Sequence, residues 1–153
     1  MQDLDNLDLA LLDLIRQNNK RTAEELGDEI GLSPSAVQRR IKKFRENGIV
    51  AADVSIIPSV IFGNKTSVAI EVSLHMGGTK SIESFKQLML QVPEVSQCFY
   101  VAGAIDFIII VQVADIKAYD AFAKKHLMDN QEIKQFHSHI IMDTVKYDVG
   151  MMP

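Results

Sequence analysis

Two helical stripes, Ala23, Leu26, Ile30 and then Val37, Ile41, Phe44, are separated by little more than Gly31-Leu32-Ser33. A glycine-bearing link that short forces the second helix to leave at a steep angle, which is the corner of a helix-turn-helix. The ends of both helices are written in the sequence. Thr22-Ala23-Glu24-Glu25 is a capping box, with the Thr22 hydroxyl reaching the N3 amide and Glu25 reaching back. Ser33 caps the next helix and Pro34 takes its first position, where a missing N–H costs nothing. Gly48 supplies a left-handed residue at the far end, so this helix runs from about Pro34 to Asn47. Upstream, Leu4, Leu7, Leu11, Leu14 and Ile15 recur at three- and four-residue steps, with Asp5 as cap and Asp8 in the first turn. That predicts an amphipathic helix ending near Gln17 to Asn19.

With 153 residues there is room for one ordinary domain or two small ones. At 47% apolar and 24% charged residues the composition is that of a soluble globular chain, and no window reaches the ~18 to 20 apolar residues of a membrane span. The opening Met1-Gln2-Asp3-Leu4-Asp5 is acidic where a secretory signal is basic, so a cytoplasmic location is expected. Cys98 stands alone in an apolar run and is expected to be a small core residue, a redox role being the second reading. A net charge of -4 does not exclude nucleic acid, because binding depends on where charge sits. Arg39, Arg40, Lys42, Lys43 and Arg45 follow one another with no acid between them, while acids crowd Asp3 to Asp13 and Glu24 to Glu29.

Beyond Gly48, the apolar, β-prone stretch Ile49 to Ile57 is expected to be a strand, broken by Pro58 and leading through Gly63-Asn64. Val68, Ile70, Val72 and Leu74 step by two and stop at Gly77-Gly78; Ile82, Phe85, Leu88 and Met89 return to helical spacing before Pro93. Val95 to Val101 and Phe107 to Val113 flank Gly103, predicting a hairpin with a tight turn. A helix follows from about Asp115 to Met128, and Ile133 to Tyr147 alternates again. The order β-α-β-β-α-β is the ferredoxin-like pattern, an antiparallel sheet with two helices on one face and the other face free to meet another subunit. The expected fold is therefore α+β: a winged-type helix-turn-helix in residues 1–50, a strand and linker in 51–64, and a ferredoxin-like domain in 65–153.

At 100 degrees per residue, Ser35, Arg39 and Lys42 lie opposite the inner stripe of the corner's second helix, with Gln38 and Lys43 flanking them. A polar, basic outer face on such a helix fits a major groove about 12 Å wide in double-stranded DNA. Ser35, Gln38 and Arg39 are the candidates for base edges, Gln suiting adenine and Arg suiting guanine. Arg40, Lys42, Lys43 and Arg45 are assigned to phosphates, and the Ser33 hydroxyl with the free amides of the helix start adds another phosphate contact. A charge run alone reads as a solvated helix face. The capping box, glycine corner and Ser-Pro start displace that reading.

Leu32-Ser33-Pro34-Ser35-Ala36-Val37-Gln38-Arg39-Arg40-Ile41, followed by Gly48-Ile49-Val50, resembles the recognition helix and exit of the Lrp/AsnC family. Gly103-Ala104-Ile105-Asp106 resembles the Gly-x-x-Asp turn of that family's RAM domain, and the resemblance extends through Met142 to Lys146. The resemblance implies dimers built through the RAM sheets, assembly to tetramers or octamers, and an amino-acid effector bound where dimers meet. Carried over, the effector site takes Tyr100, Val101, Ala102, Gly103 and Asp106, with Ile116, His139, Ile140 and Ile141 from adjoining elements. Gly103 permits close backbone approach, and Asp106 is the candidate for the ammonium group.

Two rivals stand beside this reading. A small ferredoxin-like enzyme needs a site, and no Ser/His/Asp, phosphate-loop or HExxH pattern is present, so no catalytic residue, cofactor or metal is assigned. His137-x-His139 with Asp143 is the nearest approach to a ligand set, but a two-residue step on a strand produces it without any metal. The other rival keeps the DNA-binding unit and makes the C-terminal domain an oligomerisation module alone.

Overall fold

The computed structural model describes residues 4–57, 61, 63, 65–75 and 78–146. It divides into two compact units, one built from the residues up to Ile56 and the other Ile57–Val145.

The first unit holds α1 (Asn6–Gln17), α2 (Ala23–Ile30) and α3 (Pro34–Glu46). Each begins on the cap that its sequence supplies. The Asp5 carboxylate accepts from the Asp8 amide at 2.7 Å and the Asp8 carboxylate accepts from the Asp5 amide at 3.1 Å. Thr22 and Glu25 make the same reciprocal pair on α2, and the Ser33 hydroxyl accepts from the Ala36 amide at 3.3 Å. Leu11, Leu14, Leu26, Val37 and Phe44 form the buried centre, ringed by Leu4, Leu12, Ile15, Ala23, Ile30, Leu32, Ile41, Ile49 and Val50. So small a core leaves little reserve, since removing one buried Leu side chain costs about 2–5 kcal/mol.

Two glycines make the corner between α2 and α3. Gly31 takes φ 71°, a left-handed conformation that a side chain would strain. Gly27, inside α2, serves a different need: the chain folds back so closely that a methyl group there would sit 2.3 Å from the Leu32 carbonyl oxygen. The Leu32 amide in turn donates to the Gly27 carbonyl at 2.9 Å.

The strand expected over Ile49 to Ile57 does not form. The amides of Ile49 and Val50 both donate to the Phe44 carbonyl, at 2.8 and 3.2 Å, which spends them on closing α3. Their side chains pack on the helical core, and Asp53 is held by Asn19 and Arg45. A β-prone composition makes a strand only where a ladder partner exists, and none does here among the described residues. The wing expected from this stretch is accordingly absent among them. Pro58 and Asn64, read as ending that strand, lie outside the described residues, as do Gly77 and Tyr147.

The second unit is a four-stranded sheet in the order β2-β3-β1-β4, from β1 (Thr66–Leu74), β2 (Val95–Tyr100), β3 (Phe107–Val113) and β4 (Ile133–Ile140), with α4 (Thr79–Leu90) and α5 (Ile116–Ala123). Every neighbouring pair is antiparallel, which is the β-α-β-β-α-β arrangement read from the sequence. Val68, Ile70 and Val72 of β1 and Phe107, Ile109 and Val111 of β3 share one face and are fully buried, against Ile82, Phe85 and Met89 of α4 and Phe122 of α5. Register pairs Phe99 with Ile108 and Gln97 with Ile110, and Ala69 with both Ile110 and His139, so these residues lie on the opposite face. That face carries no helix among the described residues. Gly78 caps α4, and α5 continues to Met128 as a π-helical turn, Lys124–Met128.

Three expectations are corrected. β4 ends at Ile140, not at Tyr147, because its partner β1 starts at Thr66: Ile140 pairs with Val68, the Ile141 amide makes one more bond to the Ser67 carbonyl at 2.9 Å, and the ladder then runs out. The β2–β3 connection is no tight turn. It is a loop from Val101 to Asp106, closed by the Val101 amide on the Asp106 carbonyl at 2.9 Å, and Gly103 has no positive φ. Cys98 is exposed, not in the core. It faces the helix side opposite Ile109, but β2 is an edge strand and its cover is incomplete.

Candidate nucleic-acid interface and ligand site

The α3 helix sorts its residues by angle. Val37 and Phe44 are buried and Ile41 half-buried, while Ser33, Ser35, Gln38, Arg39, Lys42, Lys43 and Arg45 are exposed. Ser33 is already occupied as cap, and its hydroxyl lies 3.2 Å from that of Ser35. Lys42 faces Glu46 across one turn at 3.7 Å, a solvated pair of little energetic weight that leaves the ammonium available. Among the described residues Arg39 and Lys43 carry no ion pair.

Arg40, assigned to phosphate from the sequence, is engaged within the protein. Its guanidinium sits on the carboxylates of both Asp5 and Asp8, with Nη1 2.9 Å from Asp5 Oδ2. Helical spacing explains this: Arg40 follows Val37 by three residues and precedes Phe44 by four, so it leaves α3 beside the buried stripe. The two acids hold its guanidinium more firmly charged, Asp8 foremost. The Asp8 amide, with Arg40 second, holds the Asp5 carboxyl below the usual carboxylate range. Arg45 is also engaged, its Nε donating to Asp53 Oδ2 at 2.9 Å. Asn19 donates to the other oxygen at 3.2 Å, and Arg45 and Asn19 together lower the Asp53 carboxyl.

The residues read as an effector site fall into two groups. Tyr100, Val101, Ala102, Gly103 and Asp106 belong to the β2–β3 loop, at the end of the sheet where Phe107 meets Val72. Ile116, His139, Ile140 and Ile141 lie toward the other end, where Val113 meets Thr66 and Ile140 meets Val68. Between three and six residues of β3 separate them along the strands, His139 standing level with Ile110 at mid-sheet and Ile116 beyond Val113, roughly 10 to 20 Å at 3.4 Å per residue. Within one chain they are not brought together.

Tyr100 is exposed, with the Lys86 ammonium 5.1 Å from its ring centre and the Phe107 ring 5.3 Å away. Ala102 and Gly103 stand in the open. Asp106 is half-buried and partly committed: its Oδ2 accepts from the Leu74 amide at 2.8 Å while its own amide donates to the Val72 carbonyl at 2.9 Å. The carboxylate read as an ammonium ligand therefore also roots the loop in β1. On the uncovered face, His137 stands opposite Glu71 in register and the His139 imidazole is 3.6 Å from the same carboxylate.

Sequence reasoning missed Gly27, the Asp5-Asp8-Arg40 cluster and the Asn19-Asp53-Arg45 cluster. Gly27 had a signal, a glycine inside a short helix one turn ahead of the corner. The clusters had a weaker one, the crowding of acids near the N-terminus against an uninterrupted basic run.

A helix-turn-helix with an exposed basic second helix, followed by an antiparallel α/β domain with a bare sheet face, defines a two-part DNA-binding regulator. Residues 4–45 match the AsnC-type helix-turn-helix domain and residues 67–151 the Lrp/AsnC ligand binding domain. An HTH-type transcriptional regulator of Sinorhizobium fredii is 39% identical over 144 residues, covering 94% of this chain and 85% of that protein. The crystal structure of an AsnC family transcriptional regulator from Agrobacterium tumefaciens superposes with a TM-score of 0.83 at 27% identity, covering 98% of this chain and 97% of that one. A transcriptional regulator from Neisseria meningitidis, solved as a complex with L-Met, shares the fold at a TM-score of 0.84 and 24% identity, over 98% and 97% of the two chains. The chain belongs to the Lrp/AsnC family of transcriptional regulators, with a helix-turn-helix DNA-binding region and a ligand-binding domain.

Proposed function

We propose that the protein acts in the cytoplasm as a dimer that reads a roughly palindromic DNA site, and that it answers to an amino acid bound between subunits. The observation that carries the DNA part is the exposure of Ser35, Gln38, Arg39, Lys42 and Lys43 together on one side of α3, behind an intact corner. Ser35, Gln38 and Arg39 near the helix start take base edges; Lys42 and Lys43 take phosphates. In this reading residues 1–50 bind DNA, 51–64 connect, and 65–153 assemble subunits and hold the ligand. The bare sheet face supports pairing of protomers, since Phe99, Ile108 and Ile110 lie half-buried at its middle with no helix over them. Dimers would then associate into tetramers or octamers. Half-sites are expected about 34 to 36 Å apart, or a multiple of that.

The effector follows from the split site. The loop Tyr100 to Asp106 of one subunit meets Ile116 and His139 to Ile141 of another, and the amino acid lies between them. The relative solved with L-Met supports an amino acid as the ligand class. One observation favours the second reading, in which the domain only assembles: Asp106 already spends an oxygen on the Leu74 amide. Selection of genomic DNA fragments by the purified protein, with and without an amino-acid mixture, tests both. Enriched fragments with regular half-site spacing are expected, and a changed profile with the mixture. An unchanged profile would leave assembly alone as the domain's task, and no enrichment over random duplex would overturn the DNA reading.

A further inference from the structure

Asp5 and Asp8 do two things at once. Each carboxylate accepts the other residue's amide, closing the first turn of α1, and each also receives the Arg40 guanidinium from the middle of α3. All three contacts run through one guanidinium nitrogen, Nη1, which donates to both Asp5 oxygens and to Asp8 Oδ1, acceptors already fixed by their own backbone bonds. Asp8 and Arg40 are sheltered, their side chains 12% and 23% exposed, while that of Asp5 is open at 54%. The cluster ties the start of α1 to the centre of the helix whose opposite side carries Arg39 and Lys42.

We infer that Arg40 is a positioning residue for DNA reading, not a phosphate ligand: bridged to Asp5 and Asp8, it sets how α3 is presented to the groove. Phosphate neutralisation then falls to Lys42 and Lys43, and Arg39 is left for bases. The bridge also cancels acid charge that would otherwise stand near the duplex backbone. This rests on the DNA-binding reading above.

Salt dependence separates the two roles, because log Kobs falls with log salt in proportion to the phosphates neutralised. The probes are a fragment enriched in the genomic selection and a random duplex of equal length. The assay is anisotropy titration across a salt series, with full-length protein held well below its unfolding temperature. Lys42→Gln and Lys43→Gln should each reduce the slope by about 0.9. Arg40→Gln removes the charged nitrogen that makes the bridge. It should lower the preference for the enriched fragment on the order of tenfold while leaving the slope unchanged. Asp5→Asn retains a good N-cap and removes a negative charge. Simple electrostatics predicts tighter binding for it; the positioning role predicts a weaker preference for the enriched fragment. Asp8→Asn should behave alike, and Asp5→Asn stands in for it should that variant not fold. Normal preference in Arg40→Gln, a slope lowered by about 0.9 in that variant, or tighter binding with a slope raised by about one in either Asp variant, would overturn the inference. Failure of the wild type to prefer its fragment would instead strike the DNA reading itself.

Discussion

Replacing Gly27 by alanine sets two effects against each other in α2. Alanine is better than glycine in a helix interior by about 1 kcal/mol, so propensity alone predicts a more stable protein. Space predicts the reverse. The new methyl would lie 2.3 Å from the Leu32 carbonyl oxygen, where ordinary contact begins at 3.4 Å, so backbone must retreat by about 1.1 Å. Val37 stands at 3.5 Å on another side, and the chain is held in place by the bond from the Leu32 amide to the Gly27 carbonyl. Overpacking costs about 1–3 kcal/mol, and weakening that bond adds about 1 kcal/mol. The net is a loss of about 1–3 kcal/mol. In a unit this small that lowers the midpoint by roughly 4–8 °C per kcal/mol. Far-UV circular dichroism with urea and heat follows the helices, with separate transitions allowed for the two units. Because the retreat moves Leu32 at the threshold of α3, affinity for an enriched fragment should fall as well. Equal or greater stability with unchanged affinity would show that the corner relaxes freely, and the steric reasoning would be wrong.

His126 packs 5.1 Å from the Phe122 ring, and its burial, aided by Lys125, lowers its pKa below 6.5. The fold thus favours the neutral ring, the unfolded chain takes up the proton first as pH falls, and stability present above that value is lost going down through it. His126→Gln should flatten the fall in midpoint between about pH 7.5 and pH 5.5; an identical fall in both proteins would exclude His126 as its source. Ile110→Lys places a charge in the middle of the bare sheet face and should turn dimers into monomers in sedimentation without loss of helix or strand signal. Wild-type sedimentation at equal concentration would move the subunit contact elsewhere.

The first three helices were legible because their ends are chemical events: Asp5, Thr22 and the pair Ser33-Pro34 each begin one as read. The sheet order followed from the β-α-β-β-α-β succession, read from alternation in Val68 to Leu74 and β-rich runs such as Phe107 to Val113. What stayed hidden depended on partners distant in sequence. Ile49 to Ile57 has the composition of a strand but spends its first amides on Phe44. The far end of β4 alternates as well as its start, yet β1 has no residues left to pair with it. At the candidate DNA interface the outward residues of α3 were readable from angle alone. The fate of Arg40 and Arg45 was not, because Asp5, Asp8 and Asp53 reach them only through the fold.

The two halves of the candidate ligand site lie apart on one sheet, the loop at one end and the other group from mid-sheet to the far end. A subunit that lends its loop to one neighbour therefore has its other half left over for a different one. Contacts of that head-to-tail kind close into rings when the rotation permits, and then each joint carries a site and no end is wasted. A sensor built as proposed would not exist in a lone protomer. Its responsiveness would then be set by how much of the protein the cell holds as well as by how much nutrient, and dilution would silence the response before any ligand departed.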